Sequence, residues 1–141
     1  MDPIRDIAAI HTPLPTPGSV TPEDCFPDAL EQALKDREEY AESLQDLCDA
    51  LKEDPLLVAL GNARARKEAA ETEIRQLLAY GREFHGGRPY KLEPLAEASG
   101  MSLSGIRTAY KDTELEAVAL QIDRKPDSRR TRPPAADAAR G

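Results

Sequence analysis

The chain has 141 residues, 32% charged and 4% aromatic with no Trp, and a formal charge of −7. That length holds one small domain or a coil with a small head, and excludes two full cores. The scarcity of the aromatic and β-branched side chains that strands favour excludes a sheet-built fold, and the net acidity argues against a general nucleic-acid coat; the expected class is all-α.

Residues 1–27 hold Pro3, Pro13, Pro15, Pro17, Pro22 and Pro27 and read as an irregular leader, with one short turn of helix near residues 4–10. An acid at position 2 and a short apolar run before Pro13 do not make a signal peptide, and no run approaches membrane-spanning length. The expectation is a cytoplasmic protein with no membrane partner. Thr21, Pro22, Glu23 and Asp24 read as a cap and first turn that Pro27 interrupts.

From residue 28 to about 53, Leu30, Leu34, Ala41, Leu44, Cys48 and Leu51 recur at three- and four-residue steps, with Arg37 at a position that should be apolar. The outer face of this amphipathic helix is mostly acidic. Asp54 and Pro55 then supply an N-cap and a first helical residue. A second helix runs to about residue 84 through Leu56, Leu60, Ala63, Ala70, Ile74, Leu77 and Phe84, with Gly61 and Asn62 as a kink or recapping point. So short a turn predicts a long antiparallel hairpin over residues 28–84, and its half-covered stripes predict a homodimer, the alternative being a monomer whose head docks onto its own hairpin.

Gly86, Gly87 and Pro89 break the helix before a head at residues 88–123. Here the spacing is Ala96-x3-Gly100-x5-Ile106: a small residue that lets two helices approach, a glycine able to take φ > 0 in a tight turn, and a branched plug for the angle between them. Leu95, Met101 and Ala109 fill other inward positions. Ser102 suits the N-cap of the second short helix, and a third, from Asp112 to Ile122, closes the core with Leu115, Val118, Ala119 and Ile122. Residues 124–141 read as a basic, disordered tail.

Residues 92–111 therefore resemble the helix-turn-helix of bacterial transcription regulators, including that of sigma factor region 4, over about twenty residues of the chain. The resemblance implies that the helix from about Leu103 to Tyr110 enters the major groove, with Ser102, Leu103, Ser104, Arg107, Thr108 and Lys111 outward. Arg107 is then the side chain suited to guanine O6 and N7. Arg88, Lys91 and the tail's Arg129, Arg130 and Arg132 suit phosphate. Ser99, where such domains place an apolar residue, Gly105 inside the second helix, and the acids Glu93, Glu97, Asp112, Glu114 and Glu116 depart from the pattern.

Charge is unevenly spread: residues 1–81 carry 8 basic and 17 acidic side chains, residues 82–126 carry 7 of each, and residues 127–141 carry 4 and 2. Two functional readings follow. One is a sequence-specific DNA-binding transcriptional regulator acting as a homodimer. The other is a non-enzymatic adaptor whose acidic hairpin binds RNA polymerase, a sigma factor or another protein while the head only packs. Catalysis fits neither. His11 lies among prolines, His85 lies beside two glycines, no phosphate-cradling loop is present, and Cys25 and Cys48 lack metal or redox spacing, so no cofactor or metal is expected.

Overall fold

A computed structural model describes residues 1–127 of the chain. Among them every regular element is helical: α1 (Pro3–His11), a 3₁₀ turn (Glu23–Cys25), α2 (Phe26–Leu51), α3 (Pro55–Glu83), α4 (Leu92–Ser99), α5 (Leu103–Thr108) and α6 (Asp112–Ile122). The protein is all-α. Two compact units divide the chain, Met1–Arg66 and Lys67–Gly141, with the division falling inside α3.

The first unit is built on α1 and α2. Asp2 caps α1 by accepting from the Arg5 N–H at 3.3 Å, and Pro3 opens the helix where its missing N–H is no loss. Ile4 and Ala8, one turn apart, pack on Ala41, Leu44 and Cys48 of α2 and on Val58 of α3. Arg5 donates to both oxygens of Glu38 at 2.8 and 3.1 Å, and the His11 ring stacks on Tyr40 with centroids 3.8 Å apart.

Within the expected irregular leader, the short turn of helix expected near residues 4–10 is a nine-residue helix, Pro3–His11, docked on α2, and residues 12–22 are irregular. Arg37, out of place on an apolar stripe, has its reason here. Its guanidinium donates to the carbonyls of Thr12 at 2.8 Å and Ala9 at 3.4 Å, satisfying groups that the end of α1 leaves open. Pro27 does not interrupt a helix either; it sits in the first turn of α2, where proline is tolerated.

Asp54 caps α3 as expected, its Oδ1 accepting from the Leu56 N–H at 3.0 Å. The expected hairpin, however, calls for α3 to bury a stripe against α2 along its length. Val58 alone joins the core of the first unit, and every residue from 60 to 74 is exposed. Ala41, Leu44 and Cys48 of the α2 stripe pack with Ile4 and Ala8 of α1, while Leu34 and Leu51 stay exposed. Gly61 lies inside the continuous α3, where no recapping occurs, and a Cβ there would meet nothing within 4 Å.

The second unit centres on Leu78, Ala79, Phe84, Ile106, Tyr110, Leu115 and Val118, with Leu92, Leu95, Ala96 and Met101 at its edge. The end of α3 is closed by chain returning to it. The carbonyls of Gly81, Glu83 and Phe84 accept from the Tyr90 N–H at 2.9 Å, the Asp127 N–H at 2.8 Å and the Arg124 guanidinium at 3.0 Å.

Candidate nucleic-acid interface

Two short helices, α4 and α5, are joined by a turn whose backbone is accounted for group by group. Gly100 takes φ 73°, a left-handed conformation that costs a glycine little, and its N–H donates to the Ala96 carbonyl at 2.9 Å. The Ser99 hydroxyl donates to the same carbonyl at 3.5 Å and accepts from the Met101 N–H at 3.3 Å. A polar residue at 99 therefore serves the turn. Ser102 caps α5, its Oγ accepting from the Gly105 N–H at 3.0 Å. A Cβ at position 105 would lie 3.0 Å from that same Oγ, so the glycine that weakens α5 by propensity also makes room for its cap.

Ile106 is wholly buried, and Tyr110, just beyond α5, is 4% exposed. The Tyr110 hydroxyl donates to Oε2 of Glu83 at 2.5 Å, tying α5 to the last turn of α3 through a carboxylate that is itself 5% exposed. Sequence reasoning missed this pair. A glutamate at the end of a helix reads as a surface charge, and nothing local links residues 83 and 110.

All six outward residues of the sequence reading, Ser102, Leu103, Ser104, Arg107, Thr108 and Lys111, are exposed. Their polar groups differ in what they already do. The Ser102 hydroxyl is committed to the cap and lies 3.3 Å from that of Ser104. Thr108 donates back to the carbonyls of Ser104 at 3.3 Å and Gly105 at 3.4 Å. Thr108 also lines a groove of about 450 Å³ with Arg75, Ser99 and Met101. Arg107 makes no hydrogen bond or ion pair among the described residues and stands in the last turn of α5. Lys111 gives its backbone N–H to Glu114 Oε1 at 3.0 Å at the start of α6, which leaves its side chain exposed. The hydroxyl of Thr113, followed by that backbone N–H, holds the Glu114 carboxyl below the usual range.

Arg88 and Lys91 are exposed on the segment before α4, which Arg82 holds by donating to the Tyr90 carbonyl at 2.6 Å. No hydrogen bond or ion pair joins either residue to α5 among the described residues. Arg129, Arg130 and Arg132 lie outside the described residues. Arg124, read by sequence as the first residue of a disordered tail, instead closes α3 and lies 6.0 Å from the centre of the Phe84 ring. Glu93, Glu97, Asp112 and Glu116 are exposed on α4 and α6.

Cys25 is exposed and Cys48 buried, both free; burial, with help from Asp49, pushes the Cys48 thiol up. Among the described residues no three His, Cys, Asp or Glu side chains are grouped to hold a metal ion, and no helix is long and apolar enough to cross a membrane. Comparison with protein-family models, curated proteins and solved structures finds no significant match to the chain.

Proposed function

We propose that this protein is a sequence-specific DNA-binding transcriptional regulator that acts as a homodimer and reads the major groove with α5. The observation that carries the reading is Arg107. It is a guanidinium with no partner among the described residues, on a helix whose inner side is plugged by the buried Ile106 and whose start is capped by Ser102. In this reading the planar fork bonds to guanine O6 and N7, and Ser104 and Lys111 reach a base edge or phosphate beside it. Arg88, Lys91, Arg129, Arg130 and Arg132 contact phosphates, which fixes position and makes affinity fall with salt. Two heads in a dimer read two half-sites.

Selection of bound duplexes from a randomised pool tests this. The native chain is expected to enrich one sequence, and Arg107→Ala to lose about 1–3 kcal/mol of preference at one base pair. Arg88→Ala is expected to weaken all duplexes alike. A pool that emerges unenriched overturns groove reading. The adaptor reading then stands on the exposed carboxylates of α2, Glu31, Glu39, Glu42, Asp46 and Asp49, as a surface for a basic face of RNA polymerase or a sigma factor.

A further inference from the structure

Along α3, Leu60, Ala63, Lys67, Ala70, Ile74 and Leu77 recur at alternating three- and four-residue steps, the a and d positions of a heptad repeat. All six are exposed, Leu60 at 57% and Leu77 at 58%. A helix open on every side from residue 60 to 74 is marginal in water. A 3.9 Å pair between Lys67 and Glu71 on its surface adds little.

We infer that this seam is a contact face for a second copy of the chain, the two α3 helices running antiparallel about a two-fold axis between Glu68 and Ala69. The inference deepens the dimer of the proposed function and rests on that part of it alone. Size and charge order along the helix select this occupant. In the antiparallel register Leu60 faces the partner's Leu77, Ala63 faces the partner's Ile74, and Lys67 faces the partner's Ala70, so that a small residue meets a large one in the layers next to the centre. The Lys67 stem crosses a methyl group and its ammonium reaches water at the edge. The charges flanking the seam change sign across the axis, with Arg64 and Arg66 before it and Glu71 and Glu73 after it. Arg66 therefore meets the partner's Glu73, and Arg64 the partner's Glu71, each twice. A parallel pair would instead stack Lys67 on Lys67 and alanine on alanine, combining repulsion with voids. The pairing needs only the continuity of α3 from Pro55 to Glu83.

Sedimentation and light scattering on the full chain at micromolar concentration, with circular dichroism as the check on folding, test the seam. The native chain is expected to be a dimer. Arg66→Glu and Glu73→Arg are each expected to raise its dissociation constant by about tenfold, since two attractive contacts become repulsive. An equimolar mixture of the two variants is expected to regain native affinity, because every 66–73 pair in the mixed dimer is again of opposite charge. A native chain that is monomeric with its helix content intact overturns the inference, as does a mixture no tighter than its components. Rescue of Arg66→Glu by Glu71→Arg instead overturns the orientation, since that pair meets only in a parallel coil. A monomer that still selects a DNA sequence sinks the seam and leaves groove reading intact; a dimer that selects none does the reverse.

Discussion

The two units are held by different kinds of side chain. The first buries Ala8, Ala41 and Cys48 around Ile4, Leu44 and Val58, and adds polar contacts at its margin, Arg5 with Glu38 and Arg37 with two carbonyls. The second concentrates its burial in Phe84, Ile106, Tyr110 and Leu115, with Phe84 at 1% and Ile106 at 0% exposure. Small residues let α1 and α2 approach closely, but each contributes little apolar area. Stability in the first unit is spread over many modest contacts. In the second it hangs on a few large ones, and those are the residues that fix α5.

The sharpest way to break this comparison is truncation. Phe84→Ala is expected to cost about 3–5 kcal/mol, because a large side chain leaves a cavity that its neighbours only partly refill. Leu44→Ala is expected to fall near the low end of the leucine range, about 2–3 kcal/mol, since it loses fewer atoms. Urea unfolding of both variants measures the gap. Equal losses would mean that the first unit is as dependent on single anchors as the second.

A smaller effect separates the units more cleanly. Arg37→Ala removes charged donors from the Thr12 and Ala9 carbonyls. About 1–2 kcal/mol is expected, less than a fully buried charged hydrogen bond because the side chain is only partly buried. Amide exchange should quicken in α1 and the start of α2 while protection around Phe84 holds. Exchange that quickens equally around Phe84 would contradict the division of the chain into two units.

Much of this architecture was legible in the sequence. The cap at Asp54 with Pro55, the turn at Gly100, the cap at Ser102 and the buried plug at Ile106 are local chemistry, and each lies where its residue type places it. The exposure of Arg107 followed from the same helical periodicity. What could not be read was pairing at a distance. Ile4 and Ala8 are too few, among too many prolines, to declare more than one short turn of helix or to show that it covers α2, so the sequence pairs the stripe on α2 with α3. Arg37 then looked like an error in a pattern whose real partner was α1. Glu83 and Tyr110 are each ambiguous alone, and only the fold brings a carboxylate and a phenol together out of water.

The smallest expected effect concerns how the second unit sets the chain just after α5. The Glu114 carboxylate accepts from the Thr113 hydroxyl at 2.5 Å and from the Lys111 N–H at 3.0 Å, bonds that favour its charged form and lower its affinity for a proton in the folded state. Folding therefore gains from this group above its unfolded pKa of about 4.3 and loses that gain as the pH falls through the lower folded value. Glu114→Gln is expected to be slightly less stable than the native chain at pH 7 and equal to it once both carboxyl states are protonated, a difference that paired urea midpoints at the two pH values measure. If the gap persists in acid, the side chain matters by packing and not by charge. In the proposed groove reading, DNA selection at neutral pH should be unchanged, because the substitution leaves the Lys111 side chain in place. A loss of selection would mean, in that reading, that the start of α6 and not α5 alone sets the proposed DNA contact.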